Sequence, residues 1–227
     1  MRQAACLVTF IVWWSGIAPR QDRDWAADVA HGVTAEIGAD SMLVHHIRDF
    51  DWQDRDTVIH RYKTASYPLD SITSVDLFTS VWGSPTIALV LVTFGFDAVR
   101  HLVFSAEIRR EADEVFSSIV GFFKAFELVL IAAEELDIVK LRTDHRREDV
   151  SLFRLRLIHA QARELFLSYL HQGNAQAEQP KFYNTINANC TTVVFCPGAT
   201  GRNRSALRQA DSGLGLSARL SLWHRRP

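Results

Sequence analysis

The sequence predicts an α+β fold, a mainly antiparallel sheet with helices packed against it. Three observations carry this. Residues 101–108 alternate, with Leu102, Phe104, Ala106 and Ile108 on one face and His101, Val103, Ser105 and Glu107 on the other, the period-2 pattern of a strand. Residues 86–96 are an almost continuous apolar run rich in β-branched side chains, which fits a buried strand. Residues 159–171 instead repeat Ala162, Leu165, Phe166, Tyr169 and Leu170 at helical spacing, with Gly173-Asn174 expected to end the helix.

The remaining elements follow the same logic. Residues 44–52 read as one strand with Val44, His46, Phe50 and Trp52 on one parity, and residues 58–69 as a second extended run closed by Pro68. Residues 72–82 are mixed. Residues 111–126 read as a helix through Val115, Ile119, Phe122, Phe123 and Phe126. A short strand at 128–133, a short helix at 134–140 and an alternating run at 151–157 complete the set. Strands 87–96 and 101–108 are expected to be antiparallel neighbours. Arg142, Arg146 and Arg147, with His145, read as a solvated loop, lipid phosphate being the alternative partner.

The chain has 227 residues, enough for one domain or at most two. With 48% hydrophobic and 22% charged residues it has the balance of an ordinary folded protein. A net charge of −1 argues against a nucleic-acid binder. Three cysteines make no disulfide framework. Three segments are expected: a membrane- or signal-like apolar stretch at 1–19, a folded domain at 20–196, and a basic, disordered tail at 197–227. Residues 4–18 carry no charge. As a helix they would span about 22 Å, short of the ~30 Å hydrocarbon core. Trp13 and Trp14 beside Pro19-Arg20 resemble the interfacial end of a membrane helix, which places the rest of the chain outside the cytoplasm. The tail holds six Arg and one acid, Asp211, a net +5 against −6 for the rest; it reads as a solvated end.

One string could carry chemistry. In Pro180 to Thr192, Asn and Thr crowd Cys190. Asn187 or Asn189 can cap a helix that begins there, and a thiol in the first turn feels the positive end of the helix dipole, which favours thiolate. The alternative is a small buried cysteine beside a polar turn. A thiol nucleophile needs a base. Nine histidines are present, but His45 and His46 are adjacent and point to opposite faces of a strand. There is no HExxH, CxxC or His-x-His, and Cys190 and Cys196 are poorly spaced for a metal. No metal or other cofactor is expected.

Taken in order, several strings resemble the Lnb N-terminal periplasmic domain, a bacterial family linked to lipoprotein N-acylation. They are Asp22-Arg23-Asp24-Trp25-Ala26, Ile47-Arg48-Asp49-Phe50-Asp51-Trp52, Val75-Asp76-Leu77-Phe78, Gly83-Ser84-Pro85, Thr93-Phe94-Gly95-Phe96, Ser105 to Glu111, Gly121 to Lys124, Leu141-Arg142-Thr143, Tyr183-Asn184-Thr185 and Asn189-Cys190-Thr191-Thr192. The resemblance covers about three quarters of the chain. It implies a circularly permuted papain-like (NlpC/P60-type) fold with Cys190 as nucleophile, Glu107 as the residue that orients or polarises the base, and Asn189 beside the cysteine. It further implies an acyltransferase of the bacterial inner membrane, on the periplasmic face, with a membrane phospholipid as acyl donor and a lipoprotein amine as acceptor.

Two departures stand out. Where the family strand reads Ile-Ala-His, this chain reads Ile87-Ala88-Leu89, and leucine can move no proton. His101 shares a face with Glu107 but lies six residues, roughly 20 Å, away along the strand. After Thr192 the chain turns to Phe195-Cys196-Pro197-Gly198 and the basic tail, an ending of the kind a shifted or truncated reading frame leaves. The competing expectation is therefore a non-catalytic or truncated papain-like module that acts in binding or has no activity.

Overall fold

The computed structural model describes residues 12–81, 88–97, 99–114, 124 and 126–184. After a helical stretch at 12–16 come β1 (Thr34–Ile37), β2 (Ser41–Arg48), β3 (Asp51–Trp52), β4 (Val58–Ile59), β5 (Tyr62–Pro68), β6 (Ser74–Val81), β7 (Ala88–Gly95), β8 (His101–Arg109) and β9 (Glu127–Glu134). Helix α1 (Glu135–Lys140) runs into a π-helical turn at Leu141–His145, and β10 (Asp149–Arg154) and α2 (His159–Glu178) follow. The main sheet has the order β1-β2-β9-β8-β7-β6-β10, with β5 also on β2. Its pairs are antiparallel except β2–β9. The fold is thus α+β on a mainly antiparallel, mixed sheet. Strands β3 and β4 form a separate hairpin.

The central pairing matches the expectation: Leu91 stands opposite Ser105 and Phe94 opposite Leu102. One face carries Leu77, Val90, Val92, Phe94, Leu102 and Phe104 beneath Leu165, Phe166, Tyr169 and Leu170 of α2. Phe166 meets Phe94 edge-on at 5.1 Å, and Phe104 stacks on Tyr169 at 4.9 Å. The second face carries Leu89, Leu91, Val103, Val129 and Ile131 beneath Ile138 and the N-terminal Ala26 and Val29. Both faces of β8 are therefore covered, and Val103 and Ser105 are as buried as Leu102.

The structure corrects three readings. The single strand over 44–52 is two. A bulge between Val44 and Ile47 puts an extra residue in β2 opposite β5, with His46 at φ 59°, so the alternation slips and Ile47 takes the core position. Helix α2 passes through Gly173-Asn174 and ends at Glu178. Gly173 is there because α2 crosses β1 closely; a Cβ would lie 2.6 Å from the Val33 carbonyl oxygen. The Asn174 amide pairs with both Ala35 N and Ala35 O at 2.8 Å, so it extends the edge of β1 instead of capping a helix. Arg142 is buried and ion-paired, not solvated, because the π-helical turn folds it inward. The expected helix over 111–126 falls largely outside the described residues.

Candidate active site

On the second face, β6, β7 and β8 bring polar side chains together. Ser80 stands opposite Leu89 in the β6–β7 pairing. The β7–β8 ladder ends at Leu91–Ser105, and Leu89 and Glu107 are the next residues of the same face on the two strands. Glu107 Oε1 accepts a hydrogen bond from Ser105 Oγ at 2.6 Å and another from Arg142 Nη2 at 3.3 Å. Arg142 also donates from Nη1 to the Ile138 carbonyl at 2.7 Å. Its Nε lies 3.9 Å from Glu148 Oε2 but makes no hydrogen bond. Glu148 accepts from Ser80 Oγ and lies 3.8 Å from Arg146. The result is a Glu107–Arg142–Glu148 triad with a serine on each carboxylate. The Arg142 side chain is 7% exposed. Burial pulls its pKa below the ordinary guanidinium value, while the Glu107 carboxylate pulls the other way.

Local sequence explains the inward turn. Helix α1 loosens into a turn closed by Arg146 N to Leu141 O at 2.9 Å, an i→i+5 bond. Glu148 N then bonds back to Arg142 O at 2.8 Å and folds Glu148 under the guanidinium. Turns of this kind recur at functional sites. One turn upstream, Asp137 is fully buried and accepts four hydrogen bonds: Arg48 Nε at 2.8 Å, Arg48 Nη2 at 3.1 Å, Phe50 N at 3.1 Å and Trp52 Nε1 at 2.9 Å. Burial works against the Arg48 charge, but Asp137 outweighs it and holds the Arg48 pKa above its ordinary value. This knot ties α1 to β2 and β3, and so fixes the turn that carries Arg142.

A cleft of about 180 Å³ lies where β8 ends and is lined by His31, His46, Arg109, Gln21 and Gln176 among others. The His31 and His46 rings stack at 5.2 Å, and Tyr62 meets His31 edge-on at 4.8 Å. Burial, then His46 and Arg109, lower the His31 pKa from its usual 6.5. Arg109 lies over Trp25 and spends its donors on Val29 O, Ala30 O and Gln21 Oε1.

Of the residues expected at the site, Glu107 lies in the triad, and Leu89 is packed at 5% exposure in the apolar cluster of the same face. Cys190 and Asn189 lie outside the described residues. His101 sits at the other end of β8, with Nδ1 3.9 Å from Glu135. His45 contacts Glu36 and Thr64. Sequence reasoning missed Arg142, Glu148, Ser80 and Ser105 as members of the cluster. The available signal was parity: Ser105 and Glu107 share a face of β8, and a polar residue on a covered face needs a partner. Among the described residues no group of three or more His, Cys, Asp or Glu could hold a metal ion.

The architecture defines an α+β domain whose sheet buries a charged triad on one face. Its family model is that of the Lnb N-terminal periplasmic domain, which matches residues 59–212. The chain belongs to that family, which places it in the periplasm as a domain of a lipoprotein-processing protein. No curated protein and no solved structure matches the chain. Among the described residues no helix is long and apolar enough to cross a membrane.

Proposed function

We propose that this chain is a membrane-associated cysteine acyltransferase domain, with a permuted papain-like arrangement in which Cys190 meets the Glu107 side of the sheet. Residues 1–19 would anchor it to the inner membrane, 20–196 would form the domain, and 197–227 a basic tail. In the first half-reaction the Cys190 thiolate attacks the ester carbonyl carbon of a phospholipid. The C–S bond forms, the ester C–O bond breaks, and the lysophospholipid alkoxide leaves with a proton from solvent. In the second, the amino terminus of a lipoprotein attacks the thioester carbonyl. The C–N bond forms, the C–S bond breaks, and the amine gives up a proton as the thiolate is regenerated. Asn189 would hold the start of the cysteine segment. Glu107, hydrogen-bonded to Ser105 and Arg142, would orient or polarise the proton-carrying group.

The observation that supports this reading is the polar row on the second face, within a family match that spans Glu107, Arg142 and Cys190. Chain length is compatible with it: the six residues from Asn184 to Cys190 reach up to roughly 20 Å. Phe182 bridges to Glu127, and Glu127 lies two residues along β9 from the Glu107 partner Val129.

A specific observation favours a second reading. Leu89, at the position where the resemblance implies the family histidine, is packed among apolar side chains. Without general-base assistance about 10²–10⁴-fold in rate is lost, and on this reading the domain binds without turning over. The experiment is an acyl-transfer assay with labelled phospholipid and a diacylated lipopeptide, comparing the parent with Cys190→Ser and Leu89→His. Transfer by the parent that vanishes in Cys190→Ser and rises in Leu89→His supports the acyltransferase. Absence of transfer in both parent and Leu89→His supports the binding module.

A further inference from the structure

We infer that the end of the domain where β9 begins is its membrane-contact surface, seated on a phospholipid bilayer so that the segment leading to Cys190 starts at the lipid interface. This rests on the reading of residues 1–19 as membrane-embedded and adds the orientation of the folded domain.

The helical stretch 12–16 presents Val12 at 64% and Trp13 at 60% exposure. Two adjacent apolar side chains as exposed as these favour an apolar cover. Residues 3–11 lead into them without a charge, so the chain reaching this surface is itself suited to lipid. A lysine fixes the surface on the domain. Lys124 Nζ donates to Trp14 O at 3.1 Å and Ile17 O at 3.3 Å, taking up carbonyls that the end of the short helix leaves open. The same ammonium lies 5.5 Å from the Trp14 ring and 5.7 Å from the Phe182 ring. Tryptophan, phenylalanine and a cation at one level are the side chains that a bilayer interface holds.

Chain geometry ties this surface to the candidate site. Arg20 N bonds Glu127 Oε1 at 3.0 Å, and Arg23 lies 3.5 Å from the same carboxylate. Glu127 is also the bridge partner of Phe182, with Leu128 N bonded to Lys181 O at 2.8 Å and Tyr183 N to Phe126 O at 2.9 Å. The incoming N-terminal segment and the outgoing 181–184 segment are thus clamped to the first two residues of β9. Whatever holds Val12 and Trp13 at the bilayer also holds Phe182 there. An acyl donor would then approach from the plane of the membrane, with no need to leave it for the full height of the domain.

The test uses the full chain in phosphatidylethanolamine–phosphatidylglycerol vesicles with brominated acyl chains, in a background where Trp13 and Trp14 are Phe. Phe182→Trp is the reporter, and exposed Lys181→Trp serves where the first variant fails to fold. Val99→Trp, on the turn at the opposite end of β8, is the control. Emission is read as the difference from the background protein. The expected result is that the reporter at 182 or 181 loses most of its emission to brominated lipid, while Val99→Trp loses little. A chain that floats with the vesicles yet keeps its reporter emission overturns this inference and leaves the anchor intact. Equal loss at Val99→Trp also overturns it. A chain that does not float at all overturns the anchor and this inference together.

Discussion

Replacing Arg142 by Met removes the cation that lies between Glu107 and Glu148. Methionine matches the length of the aliphatic stem but gives up the donors to Glu107 and the Ile138 carbonyl. What remains is a carboxylate held by Ser105 and another held by Ser80 and the outlying Arg146, whose side chain is far more exposed than that of Arg142. Removing one partner of a buried ion pair costs about 3–5 kcal/mol, because the other charge is left without compensation. Glu107 is the more exposed carboxylate and rehydrates in part, so the lower half of that range is expected. With a urea slope of about 2 kcal/mol per molar, the midpoint falls by roughly 1.5–2 M. The assay is equilibrium urea unfolding followed by near-UV circular dichroism, repeated on Arg142→Met/Glu148→Gln. Because the second change removes one stranded charge, the double variant is expected to recover part of the loss. A midpoint within about 0.3 M of the parent would mean that Arg142 is solvated and the triad contributes no stability.

Three further outcomes are expected. Gly173→Ala, which in an exposed helix would stabilise by about 1 kcal/mol, instead lowers stability by about 1–3 kcal/mol, because the new Cβ meets the Val33 carbonyl oxygen at 2.6 Å and Val33 Cγ1 at 2.8 Å; thermal melts check the sign. Asp137→Asn costs about 3–5 kcal/mol by leaving the Arg48 guanidinium buried without a counter-charge, and hydrogen exchange at the Phe50 amide reports the local opening. The lowered His31 pKa means that the folded state binds a proton less readily than the unfolded chain. The associated stability is therefore present above pH 6.5 and is lost as pH falls through the folded value. His31→Gln flattens that part of the stability profile, and NMR titration of the ring gives the pKa directly.

The legible parts of the fold were those that local pattern alone determines. Alternation in 101–108 gave β8 and its faces, and the apolar run gave β7 and its antiparallel neighbour. The spacing of Leu165, Phe166, Tyr169 and Leu170 gave α2. The losses came from tertiary contacts that borrow the vocabulary of local signals. Gly173 and Asn174 look like a helix stop, yet one permits close approach to Val33 and the other pairs with the Ala35 backbone. His46 takes a left-handed conformation inside a strand, so the parity of 44–52 shifts in a way no alternation count can show. Arg142 opens a polar run, Arg142 to Arg147, and reads as solvent-facing; only an i→i+5 turn, which sequence does not announce, carries it inward. Of the candidate site, Glu107 was legible because its strand was. Its partners come from β6, the π-helical turn and the residue before β10, far apart in sequence.

The most direct measurement of the account is the covalent state of Cys190. The full chain is incubated with phospholipid bearing labelled acyl chains, in the absence of any amine acceptor, and its peptides are mapped by mass spectrometry before and after hydroxylamine. The account predicts a labelled, hydroxylamine-labile acyl group on Cys190 that accumulates faster in Leu89→His and is discharged when a diacylated lipopeptide is added. An unmodified Cys190 in both proteins, or lipopeptide acylation that proceeds equally well in Cys190→Ser, would contradict it.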